Sequence, residues 1–198
     1  MPKIKAPRAF NAKRWAAGAA LWMVLGGVAQ AHSFNVAIVS GEAGGSEQLQ
    51  SAVRGFLVAS AERDAHSNET ADGHIGGLDV FLTPLPAALA SDIAGLVGQA
   101  SDTLDVVVVL GDDATTEGIR GIVAATVVVT PGTLPDPAQR TGFVEKYVAR
   151  FETQPTDAAA QGYNAARRID LAVRQLGGTS QTNNLRDALA DTADGTAW

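Results

Sequence analysis

Asp105-Val106-Val107-Val108-Val109-Leu110 (DVVVVL) is the stretch that decides the fold. Four consecutive valines leave no polar face. The strand they predict is therefore buried on both sides, as in a parallel sheet covered by helices. The neighbouring segments agree. Upstream, Phe34–Ser40 (FNVAIVS) reads as a second buried strand followed by a glycine-rich turn. Leu49, Val53, Phe56 and Leu57 then recur at helical spacing, with Ser46 placed to cap the helix. Arg63–Gly73 is polar and reads as a loop. Leu78–Leu82 is a strand ended by Pro84 and Pro86, and Leu89, Ile93, Leu96 and Val97 mark a second helix. Downstream, Gly111-Asp112-Asp113 turns the chain into a short helix with Ile119, Ile122 and Val123 inward, and Thr126–Thr130 is a further strand. Thr133–Arg140, with Pro135 and Pro137, reads as a linker or crossover, and the tail after Leu189 as frayed. This alternation of strand and helix predicts an α/β fold: a three-layer, Rossmann-like parallel sheet with right-handed crossovers.

The first 31 residues read as a segment apart. Lys3, Lys5, Arg8, Lys13 and Arg14 precede an apolar run, Trp15–Val28, and Ala29-Gln30-Ala31 has the small-x-small pattern of a cleavage site. That order predicts a secretory signal peptide over 1–31, removed on export to the periplasm; the alternative is an uncleaved anchor. Removal takes five of the 15 basic residues and none of the 21 acidic ones, so the remaining chain is strongly acidic. Such a surface argues against nucleic acid and anionic membranes as partners. There is no cysteine, which excludes disulfides, thiolate metal sites, a cysteine nucleophile and a lipoprotein anchor. The expected organisation is an α/β lobe over 32–132 and a helical segment over 133–198.

Phe143–Leu176 reads FVEKYVARFETQPTDAAAQGYNAARRIDLAVRQL. Phe143, Tyr147, Val148 and Phe151 share one helical face. A break at Gln154-Pro155-Thr156 follows, and a second helix runs through Gly162-Tyr163-Asn164-Ala165. This pair resembles the late C-terminal segment of type I periplasmic binding proteins, the branched-chain amino-acid receptor family of ABC transporters. There, an F-x-x-x-Y-x-x-x-[FY]-G-x-x-P helix precedes an A-x-x-G-Y-[DN]-A helix. Ser40-Gly41, Gly44-Gly45-Ser46, Gly55-Phe56-Leu57-Val58-Ala59 and Gly76–Leu82 are similar to early segments of that family, and Gly111–Thr116 to the loop after its next strand. The resemblance implies a periplasmic-binding-protein-type lobe. It also implies that the family's second lobe is truncated or missing, because complete members are about twice this length, as two domains would be.

In parallel α/β sheets, ligands bind beyond the C-terminal ends of the strands. Two loops are placed there. The candidate ligand-binding residues are Ser40, Gly41, Glu42, Gly44 and Ser46 in the first, and Gly111, Asp112, Asp113, Thr115 and Thr116 in the second. Each loop precedes a helix whose first N–H groups lack internal partners and attract an anionic oxygen. The resemblance implies that the Gly111–Thr116 loop holds a ligand carboxylate. Glu42, Asp112 and Asp113 instead suit an ammonium group or a hydrated cation. The same residue types also serve simply as helix caps and turns, with no ligand. The first loop's glycines match neither a P-loop nor G-x-G-x-x-G.

No catalytic set is expected: there is no G-x-S-x-G elbow, no H-E-x-x-H and no identifiable base for Ser40. No cofactor and no metal are expected either. His66 and His74 flank an acidic loop bearing Asp64, Glu69 and Asp72, but their spacing fits no zinc pattern. His32 would become N-terminal after cleavage, and chelation of copper there requires a second histidine. Tyr163 reads as a packing residue with its hydroxyl satisfied at an edge. Arg167, Arg168 and Arg174 read as an exposed strip paired with carboxylates. The function expected is that of a periplasmic solute-binding-type protein of an ABC importer. It would capture a small polar solute, such as an amino acid or carboxylate, and deliver it to a permease. The alternative is a non-transport accessory or interaction protein that keeps a degenerate form of the fold, for which a homodimer is a natural state.

Overall fold

Phe34–Ser40 forms β1, the central strand of a sheet ordered β2-β3-β1-β4-β5. In the computed structural model the described residues are 33–41, 45–62, 70–93, 104–123, 126–179 and 182–198. The expected signal peptide lies outside them, as do Glu42, Gly44, His32, His66, Leu96 and Val97. The fold described is that of the unit His32–Trp198. After β1 come α1 (Gly45–Ala61), β2 (His74–Ile75), β3 (Leu78–Leu85), a 3-10 turn (Ala87–Asp92), β4 (Val106–Leu110), α2 (Asp113–Ile122) and β5 (Val127–Val129). A second 3-10 turn (Pro137–Gln139) and the helices α3 (Thr141–Phe151), α4 (Asp157–Leu176) and α5 (Thr182–Ala190) complete the order.

The sheet is mixed but mostly parallel. β1 pairs in parallel with β3 (Val36 opposite Leu82) and with β4 (Val36 opposite Val106), and β4 pairs in parallel with β5. Among the described strands, only β2, antiparallel to β3, breaks the pattern. Val36–Val39 and Val106–Val109 are all 0% exposed, so both faces of the two central strands are covered. Alternation divides their side chains. Val36, Ile38, Val106 and Val108 enter a core with α1, α3, α4 and α5. Ala37, Val39, Val107 and Val109 meet Leu85, Ile93, Leu104, Ile119 and Val123 on the other side. The continuous valine run thus has the cause expected of it, an apolar layer on each face.

The thick layer depends on one close crossing. α1 and α4 meet at Gly55 and Gly162. A Cβ on Gly55 would lie 1.8 Å from the Ala159 carbonyl oxygen, and one on Gly162 would lie 1.9 Å from that of Ala52. Each glycine costs about 1 kcal/mol of helix propensity relative to alanine. The backbone approach they permit offsets that cost by burying Ala52, Ala59, Ala159 and Ala166 between the helices.

Several sequence expectations change. Leu89 belongs to the 3-10 turn after Pro86 and is 47% exposed, because the Leu89 N–H bonds the Pro86 carbonyl and tightens the chain before an α-helix can start. β3 runs on to Leu85, through Pro84. Its outer neighbour β2 pairs it only at Leu78 and Asp79, and proline is tolerated on such an open edge. β2 itself had no counterpart in the sequence reading. Gly76 and Gly77 join it to β3 with φ of 62° and 85°, a two-residue hairpin turn that requires positive φ at both positions. Ile122 is 42% exposed rather than inward, because the short α2 buries only Thr116 and Ile119. Gly45, with φ of 59°, opens α1, which places Ser46 inside the first turn instead of at the cap.

The tail after Leu189 is docked, not frayed. Thr133 N–H donates to Ala193 O at 3.0 Å, and Trp198 Nε1 donates to Asn164 Oδ1 at 2.9 Å. The basic strip is likewise corrected. Arg168 is 2% exposed and directs its donors to Thr130 O, Leu189 O (2.7 Å) and Thr192 Oγ1 (3.2 Å) rather than to a carboxylate. Burial alone depresses its basicity. Arg167 pairs with Glu62, and Arg174 with Asp170.

Candidate functional site

The strand order places β1 between β3 and β4, so the connections leaving β1 and β4 diverge to opposite faces of the sheet. This is the switch point at which open α/β sheets form a crevice. Ser40 and Leu110 stand opposite each other at the ends of these strands. The Gly41 N–H donates to Leu110 O at 3.0 Å and ties the two loops together. A Cβ on Gly41 would lie 3.1 Å from that oxygen and 3.2 Å from the Gly111 Cα, so the loop backbones touch where only glycine fits easily.

Ser40, Gly41 and Gly111 are therefore brought together. Ser40 is 2% exposed, whereas Gly111, Asp112 and Asp113 face solvent. Ser46 is exposed in the first turn of α1. Glu42 and Gly44, between these parts, lie outside the described residues.

Asp112 is the N-cap of α2. Its Oδ1 accepts from Thr115 N at 2.8 Å and from Thr115 Oγ1 at 2.7 Å. Thr116 Oγ1 donates to Asp112 O at 2.9 Å. Both threonine hydroxyls therefore spend their protons inside the cap. The Thr115 amide and hydroxyl hold the Asp112 carboxyl below the usual carboxylate range, so it remains an anion. The helix end that would attract a ligand carboxylate already has its own, and the rim carries the exposed negative charges of Asp112 and Asp113.

A second concavity comes from residues far apart in sequence. Val58, Ala61, Glu62, Lys146 and Arg150 line an open cleft of about 470 Å³ between the end of α1 and α3. Glu62 Oε1 accepts from Lys146 Nζ at 2.8 Å and from Tyr163 Oη at 2.7 Å, and Arg167 Nη1 approaches Oε2 at 3.5 Å. Arg150 Nη1 donates to Leu57 O at 2.6 Å. Tyr163 is 2% exposed, a packing residue whose hydroxyl reaches an edge. Nothing local in the sequence marks this cleft, because its lining comes from two helices, and Glu62 in it is held by Lys146, Tyr163 and Arg167, 84 to 105 residues away.

Among the described residues, no three histidine or acidic side chains gather as metal ligands would, and no helix is long and apolar enough to cross a membrane. His74 Nε2 meets Asp79 Oδ1 at 2.9 Å across the β2–β3 hairpin. Compared with known proteins, the chain matches no family model, no curated protein and no solved structure.

Proposed function

We propose that this chain is a solute-binding-type protein of an ABC importer, related to the type I periplasmic binding proteins and acting after export. In this reading it captures a small polar solute without making or breaking a covalent bond and presents it to a permease. The observation that carries the reading is the contact of the β1 and β4 loops at the switch point, tied by the Gly41–Leu110 hydrogen bond. The paired helices over Thr141–Phe151 and Asp157–Leu176, where the receptor-like motifs fall, add support. The charges at the rim refine the choice of solute. Asp112 and Asp113 favour a group bearing an ammonium, so an amino acid fits better than a simple carboxylate.

A thermal-shift panel of amino acids, small acids and amides tests this. A ligand at 100 times its dissociation constant stabilises the folded state by about 2.7 kcal/mol. Amino acids should raise the melting temperature more than the matching acids without an amine. Asp113→Asn, which leaves the Asp112 cap intact, should weaken that response. No response from any compound at millimolar concentration would overturn the proposal.

The capping of Thr115 and Thr116 by Asp112 favours a second reading, an accessory or interaction protein with no solute. Light scattering and co-purification separate the two: a homodimer or a retained protein partner, with no ligand response, supports this second reading.

A further inference from the structure

Trp198 sits against α3 and α4, beside the segment after β5. Its ring meets Phe143 at 5.2 Å and 79°, and Tyr163 at 4.7 Å and 62°, so two aromatic walls receive it edge to face. The Arg140 guanidinium stands 5.9 Å from the ring centroid. The indole N–H donates to Asn164 Oδ1 at 2.9 Å.

Every wall is held by something other than Trp198. Asn164 is 0% exposed, and its Nδ2 donates to Pro131 O at 2.8 Å and Thr133 O at 3.1 Å. Those two bonds orient the amide and leave Oδ1 facing the pocket as an acceptor, also met by Thr196 Oγ1 at 2.9 Å. Phe143 packs on Tyr147 and Tyr163, and the Tyr163 hydroxyl is anchored on Glu62. Arg140 is held by Pro135 O at 2.7 Å and Asp157 Oδ1 at 3.0 Å. The tail reaches the pocket through Gly195, whose φ is 113°, and Ala197 O accepts from Arg167 Nη2 at 3.2 Å.

We infer that this pocket is an indole-recognition site, filled in cis by Trp198 so that the tail acts as a latch, and that it accepts free indole when the Trp198 side chain is withdrawn. The chemistry is specific: two aromatic edges and a cation favour a π-rich ring, and the buried amide oxygen, met on one lone pair by Thr196 Oγ1, offers its second to an N–H donor. Trp198 is only partly buried, so a ligand reaches the site without unfolding the core. A tethered side chain competes at an effective concentration in the millimolar range, which protects the intact chain from free indole.

The test compares the full chain with its Trp198→Ala variant by thermal unfolding in millimolar indole, with benzofuran as the equal-sized ring lacking the N–H. The variant should melt lower than the parent. Indole should restore part of the loss in the variant and move the parent little. Benzofuran should bind about fivefold to tenfold more weakly, the loss of one hydrogen bond. Equal shifts in both proteins, no shift in either, or equal effects of indole and benzofuran would overturn the inference. Should Trp198→Ala not fold, Trp198→Phe keeps an aromatic ring but has no N–H, and it must melt below the parent. An unchanged melting temperature there would also overturn it.

Discussion

Gly162 faces Ala52 at a distance that excludes any side chain, since a Cβ on Gly162 would stand 1.9 Å from the Ala52 carbonyl oxygen. Gly162→Ala therefore forces α1 and α4 apart along the interface that also holds Gly55 against Ala159. Helix propensity alone would favour the alanine by about 1 kcal/mol. Overpacking against backbone, which has no rotamer to give, should reverse that sign and cost about 3 kcal/mol or more. Chemical denaturation measures it, and a variant as stable as the parent would show that the helices can separate freely.

Glu152 should respond in the opposite direction. It ends α3 with φ of 56°, the one described non-glycine residue at positive φ, and its N–H bonds Val148 O at 2.9 Å. The left-handed conformation costs an L-residue about 1–2 kcal/mol, while glycine loses part of that advantage to its freer unfolded chain. Glu152→Gly should gain about 0.5–1 kcal/mol, a rise of a few degrees in melting temperature for a domain of this size. It stands where the receptor-like pattern carries glycine.

Two carboxylates should give pH dependences of opposite sign. Burial pushes Asp105 up more than the hydrogen bonds from Asn35 N–H and Thr179 pull it down. Its folded form holds the proton more tightly than the unfolded chain does. Stability from this group is therefore lost as pH rises from its unfolded value through the raised folded value. Asp105→Asn keeps an acceptor for the Asn35 N–H, 2.9 Å away in the parent. Its melting temperature should gain on the parent across that window and run parallel above it.

Asp112 is depressed instead, by the Thr115 amide and hydroxyl. Its contribution is present above the ordinary carboxylate range and lost as pH falls through the lowered value. The deficit of Asp112→Ala should shrink in acid. Melting curves at several pH values that show a constant gap for either variant would remove the corresponding assignment.

Much of the layering was legible from periodicity. The valine run at Val106–Val109 foretold burial on two faces, and Leu49 and Phe56 foretold the inward stripe of α1. Tyr163 was read as packing with an edge hydroxyl, and it is 2% exposed with that hydroxyl on Glu62. Gly76-Gly77, just before the expected strand at Leu78, carries a hairpin signal, but the two-residue β2 on its other side is too short to show alternation. Arg168 looked solvated because charge usually is. Its burial depends on the Thr130 and Leu189 carbonyls, supplied by segments 38 and 21 residues away. At the candidate rim, residue types announced both a cap and a ligand loop, and only geometry showed the threonine hydroxyls turned toward Asp112.

What the chain's order of residues determined alone is the kind of element at its strongly periodic stretches, such as β1, α1 and β4, and which of their faces are apolar, since both follow from side-chain period acting over a few residues. Tertiary structure alone decided the strand order β2-β3-β1-β4-β5, the meeting of Gly41 with Leu110, the cluster around Glu62 and the seating of Trp198 on Asn164. These contacts join distant segments, and their partners are selected by how whole layers pack, a property that no local pattern encodes.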